Sequence, residues 1–116
     1  NLPKDDCQFR CMDYPDGLLL KTREGEAFLT LNGIQTQSAR VYNLAQELGV
    51  MRALGVNVVR ISPQRNGTPQ LLTLFSALLH GRQDSDVALA QIEALMPEQG
   101  CNGYWFGKPG LDRMPA

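Results

Sequence analysis

Short runs of apolar residues mark the first third of the chain, and apolar positions at steps of three and four mark the rest. Leu18 to Lys21 and Ala27 to Leu31 are strand-like, and the Arg23-Glu24-Gly25-Glu26 link supplies the glycine a hairpin turn wants. Residues 18–32 therefore predict two antiparallel strands, with Asn32-Gly33 ending the second. Tyr14-Pro15-Asp16-Gly17 is a turn signal that separates this hairpin from residues 1–17. Ser38 suits the N-cap of a helix carrying Val41, Leu44, Leu48 and Met51 on one face, with Gly49 as a point of interruption. Val56 to Ser62 is rich in β-branched residues and stops at Pro63, which predicts a buried strand. Strand, helix and strand in this order predict a crossover unit with parallel strands and a right-handed connection.

Thr68-Pro69 opens a second helix, with Leu71, Leu72, Phe75, Leu78 and Leu79 as its apolar face and an end near Gly81. A third helix is expected from about Asp86 to Met96, with Val87, Ile92 and Leu95 inward and Pro97 beyond it. The tail, residues 100–116, is dense in glycine and proline and predicts turns, but its Tyr104-Trp105-Phe106 triplet is expected to pack rather than stand in water. The pattern as a whole is α/β.

At 116 residues, with 43% apolar and 20% charged side chains, the composition is that of one globular domain. A net charge of -1 supplies no basic stripe, which disfavours nucleic acid and anionic membrane surfaces as partners. The chain opens on Asn1-Leu2-Pro3 without the marks of a signal peptide, and it holds no run of roughly 18 apolar residues that would span a membrane. With three cysteines, an odd number, the expectation is a reducing, cytoplasmic setting in which thiols bind metal or pack.

The candidate chemistry starts at Cys7-Gln-Phe-Arg-Cys11. If that segment is helical, residues four apart share a face with β-carbons about 5–6 Å apart, close enough for one metal centre. A 4Fe-4S cluster or a structural zinc needs about four protein ligands, so two must come from elsewhere. Two cysteines that merely pack, or oxidise to each other, are the plain alternative. His80 and Cys101 would complete a Cys3His zinc set in principle, though neither has ligand-like spacing to a second residue. Arg60 is the second candidate: on a strand from Val56 to Ser62 it shares a face with Val58 and Ser62, opposite Val59 and Ile61. Near a strand's C-terminal end it can clamp a carboxylate through two parallel hydrogen bonds, or simply face solvent. Asn32 is a weaker substrate-binding candidate, equally readable as a turn residue. No H-E-x-x-H motif, no triad pattern and a single histidine leave the catalytic residues unassigned.

Nearly the whole chain resembles a known family. Phe28-Leu-Thr-Leu-Asn-Gly-Ile-Gln-Thr-Gln37, Leu54-Gly-Val-Asn-Val-Val-Arg-Ile-Ser-Pro63 and Cys101-Asn-Gly-Tyr-Trp105 are similar to the C-terminal part of ubiquinone-biosynthesis members of the collagenase-like peptidases, family thirty-two of the unassigned peptidases. The resemblance implies a TIM-barrel-like catalytic half, a fold of about 250 residues, of which this chain supplies the last β-α units as a partial barrel behind an N-terminal hairpin. It further implies a 4Fe-4S protein that pairs with a homologous UbiU subunit as a heterodimer. Their task would be oxygen-independent hydroxylation of a small-molecule quinone precursor. Cys7 and Cys11 fall on the last two of the family's four cluster cysteines. The other two would precede Asn1, so the cluster is expected in a longer polypeptide and not in these residues by themselves. Peptide hydrolysis, from the family's name, and RNA hydroxylation, from its relatives, are the alternative activities. A part-barrel exposes strand edges, so self-association of this fragment is expected as well.

Overall fold

The computed structural model describes Pro3 and residues 5–115. The reading of Asn1 and Leu2 as a start without a leader lies outside the described residues. The chain forms two compact units, Asn1–Arg40 and Val41–Ala116.

The first unit is a three-stranded antiparallel meander. β1, Leu18–Lys21, pairs with β2, Ala27–Asn32, through Leu18 opposite Leu31 and Leu20 opposite Leu29. A bulge between Leu20 and Lys21 adjusts the register before the Thr22 to Glu26 connection, closed by a Thr22 N–H to Glu26 carbonyl bond of 2.8 Å. These two strands lie where the sequence pattern places them. β3, Gln35–Ser38, was not anticipated; it pairs Gln35 with Asn32 and Ser38 with Leu29. Its four residues are polar and exposed, so no alternation of apolar and polar positions announces it. What builds it is the turn: Gly33, at φ 60°, takes the first place of a two-residue loop, as a type II′ hairpin demands. Ser38 thus ends a strand and does not cap a helix. Instead its hydroxyl accepts the Arg40 N–H at 3.2 Å.

The second unit combines helices with one short parallel ladder, joined by irregular stretches. β4, Val41–Tyr42, runs beside β5, Gly100–Cys101, which leaves the expected helix of residues 38–51 without its first turn. The helical path starts later, with a 3-10 turn Ala45–Glu47 that leads into α1, Leu48–Ala53. Asn43 organises that start, its side-chain oxygen accepting the Ala45 N–H at 3.0 Å. Leu48 and Met51 are buried as their spacing predicts, and Gly49 lies within α1 without breaking it.

α2, Thr68–Leu79, and α3, Ser85–Leu95, fall within a residue or two of expectation. α2 has Pro in its first turn and follows Gly67, whereas the Thr68 hydroxyl reaches back to the Gln64 carbonyl at 2.8 Å. α3 is capped by Asp84, whose carboxylate accepts the N–H groups of Asp86 and Val87 at 2.9 and 3.4 Å. Gln64 then closes the other end of α3, donating to the Leu95 carbonyl at 2.6 Å and so satisfying a carbonyl that has no helical partner.

Ala45, Leu71, Leu89 and Ile92 form the core, with Leu74, Phe75, Leu78, Leu95 and Met96 packed around it. The stripe Leu71, Leu74, Phe75 and Leu78 follows the 3.6-residue period, which turns Leu72 and Leu79 outward, contrary to expectation. On α3 the inward positions are Ala88, Leu89 and Ile92, and Val87 stays 52% exposed. Full burial of Ile92, 1% exposed, contributes about 2 kcal/mol.

Val56 to Ser62 corrects the sequence reading most sharply, because no strand forms there, and the strand that runs parallel to β4 among the described residues is β5, reached only after three α-helices. A strand needs a ladder, and no neighbouring strand lies beside residues 56–62 among those described. Val58 is 83% exposed as a result. Among the described residues no helix is long and apolar enough to cross a membrane.

A candidate two-thiol segment and an apolar cavity

Cys7 and Cys11 belong to the first unit. Phe9 between them has φ 50° and ψ 33°, a left-handed conformation that costs a residue with a β-carbon roughly 1–2 kcal/mol. It bends the chain into a 3-10 turn, Arg10–Asp13, which closes through the Met12 N–H to the Phe9 carbonyl at 2.9 Å and the Tyr14 N–H to the Cys11 carbonyl at 3.2 Å. Cys11 therefore sits in a helical turn and Cys7 precedes it. The spacing argument for a shared helix face does not hold here, and the bend at Phe9 takes its place as the feature that sets the two thiols' directions. Both cysteines are free of a disulfide and exposed. The Cys11 side chain rests against the β2–β3 turn, its sulfur 3.9 Å from where a β-carbon on Gly33 would stand. Asn32 opens that same turn, exposed and paired with Gln35. Within residues 1–40 the sequence holds no further cysteine and no histidine.

The zinc alternative finds no assembled site. His80 follows α2 with its Nδ1 2.7 Å from the Ser76 carbonyl oxygen, and Cys101 is buried in β5. Among the described residues no group of three or more His, Cys, Asp or Glu side chains is close enough to hold a metal ion. The chain thus offers two cysteine side chains toward the roughly four ligands an iron-sulfur cluster takes. They fit one half of such a site by exposure and by donor type.

Arg60 belongs to the second unit. It is exposed and joins the rim of a cavity of about 520 Å³. The walls of that cavity are apolar, with Leu71, Phe75 and Ile92 from the helices, Val58 and Ile61 from the unpaired run, and Trp105 from the tail. Arg60 and Ser62, which strand alternation places together, both line it, as do Val59 and Ile61 from the supposed opposite face. Without a ladder the run does not sort its side chains into two faces.

The Cys101-Asn-Gly-Tyr-Trp105 motif proves to be a packed corner. Cys101 and Asn102 are each 2% exposed, and Gly103 approaches the Pro109 backbone so closely that a β-carbon would stand 2.9 Å from its carbonyl carbon. Trp105 is half-buried as expected, but Tyr104 is exposed and lies over Gly110. Asn43 and Asn102, both buried, were missed by the sequence reading. Asparagine followed by a helical turn or by glycine gives the same signal at a surface turn.

No protein-family model matches the sequence, and no solved structure matches the fold.

Proposed function

We propose that this chain is the C-terminal portion of an iron-sulfur protein similar to UbiV, a ubiquinone-biosynthesis member of the collagenase-like peptidases. In this reading Cys7 and Cys11 ligate one side of a 4Fe-4S cluster, and two cysteines on a preceding segment ligate the other. A homologous UbiU subunit pairs with it, and the substrate is a quinone precursor hydroxylated without oxygen in the cytoplasm.

The observation that carries the reading is the pair of exposed thiols held on a bent segment whose bend costs energy. A left-handed phenylalanine is retained where the surrounding structure needs its geometry, and such positions gather at functional segments. Exposure keeps both sulfurs available to a metal, and neither is spent in a disulfide. When bound, a cluster supplies one-electron chemistry. The chain's own contribution is to hold the Cys11 sulfur beside the β2–β3 turn, with Cys7 presented on the other side of the Phe9 bend.

The partial-barrel architecture is part of the same proposal. Support comes from β4 and β5, parallel neighbours joined through helices as barrel units are, and from the β-branched run of residues 56–62, whose exposed valines suit a strand awaiting neighbours.

Thiol alkylation tests the proposal. In the longer polypeptide, purified without air, Cys7 and Cys11 should resist iodoacetamide and then react fully once iron is removed by a chelator. Equal modification of both cysteines before and after chelation would contradict it.

A further inference from the structure

We infer that the cavity of the second unit is a binding site for a small amphipathic carboxylate, its apolar body among Leu71, Phe75 and Trp105 and its carboxylate on the Arg60 guanidinium. Nothing in this inference depends on the cluster reading, because every residue it uses lies in Val41–Ala116.

The volume, about 520 Å³, lies within the range of small-molecule sites, roughly 300–1,000 Å³. Apolar walls with a few polar groups at one side are the usual composition of such sites. Polar residues lining this cavity are Tyr42, Asn43, Arg60, Ser62 and Gln64; Asn43 and Gln64 are spent on the Ala45 N–H and the Leu95 carbonyl, and Arg60 is the cation among the five. No ion pair or hydrogen bond occupies the Arg60 side chain among the described residues. The contrast with Arg113 is direct: that guanidinium is engaged by Glu93 at 2.5 Å. A guanidinium presents donors in a planar fork that matches a carboxylate, so an anion with this head group gains two parallel hydrogen bonds at Arg60. Ser62 and Tyr42, which also line the cavity, carry hydroxyl donors.

The head-group preference follows from the wall composition. A neutral apolar molecule fills the cavity without using Arg60, and a short anion such as acetate uses Arg60 without filling the cavity. A ligand that does both should bind more tightly than either. An apolar segment of another protein chain would also cover these walls, but it gives the guanidinium no partner.

Titration calorimetry with decanoate, decan-1-ol and acetate at submicellar concentration tests the site on the 116-residue chain. Decanoate should bind with one site per chain and roughly tenfold or more tighter than decan-1-ol, the usual margin of a charge-assisted hydrogen bond. Arg60→Gln should remove that margin and leave the binding of decan-1-ol unchanged. Val58→Trp, which puts bulk at an exposed position of the wall, should weaken both. Equal affinity for decanoate and decan-1-ol, or an unchanged decanoate affinity in Arg60→Gln, would overturn the assignment. So would a dimer, seen in sedimentation, that decanoate does not dissociate and that keeps the cavity closed to all three probes.

Discussion

Asn102 and Met114 hold each other twice: the Asn102 Nδ2 donates to the Met114 carbonyl at 3.1 Å, and the Met114 N–H donates to the Asn102 Oδ1 at 2.7 Å. The asparagine is buried at the end of β5, and the pair pins the final residues to the second unit. The Asn102 and Gly103 N–H groups both point at the Asp112 carbonyl at 3.0 Å, which extends the same attachment.

Replacing Asn102 by Ala should therefore cost about 2 kcal/mol, because two hydrogen bonds go and their backbone partners are left without one. Asn102→Asp should also destabilise the fold, since a carboxylate cannot donate to the Met114 carbonyl. Urea unfolding of each variant measures both, and an unchanged midpoint for either would be contrary to expectation.

Ile92→Ala removes the most enclosed aliphatic side chain of the core and should cost about 3 kcal/mol, within the span for large-to-small core substitutions. Val87→Ala on the exposed side of the same helix should shift stability by less than about 0.5 kcal/mol. The two unfolding curves, compared under one set of conditions, check which face of α3 is inward.

Asp84 caps α3 through two backbone N–H groups. Asp84→Ala should cost about 1 kcal/mol, and Asp84→Asn should restore most of it because asparagine caps almost as well. Thermal unfolding followed by helical circular dichroism distinguishes the pair.

Much of this architecture was legible in the sequence wherever local chemistry and tertiary environment agree. The β1–β2 hairpin carries its leucines and its glycine turn in one stretch, and α2 and α3 carry period, proline, cap and stop within a dozen residues each. Illegible features depended on partners far along the chain. Val41 belongs to a helical pattern by spacing, yet it pairs with Gly100, nearly sixty positions later, and that pairing displaces the helix start beyond Asn43. Val56 to Ser62 has strand propensity but no strand beside it among the described residues, and propensity on its own forms no ladder. β3 is the converse, a strand without propensity, made by the register that Gly33 imposes. At the two-thiol segment the residue types were readable, but their geometry was not: Phe9 is an unexpected residue for a left-handed bend, and that bend replaces the helix assumed from the C-x3-C spacing.

The role of Arg60 divides in the same way. Strand alternation puts it on one face with Ser62, a sorting the structure does not keep, and its place in the cavity lining is what the proposed carboxylate site rests on.

The central claim is that Cys7 and Cys11 are two of four ligands to one iron-sulfur cluster. Iron and acid-labile sulfide counted on the longer polypeptide, purified without air, test it most directly. The account predicts about four of each per chain, falling to near zero in Cys7→Ser and in Cys11→Ser while the fold is kept. Metal-free wild-type protein, or serine variants that retain the full complement, would contradict it.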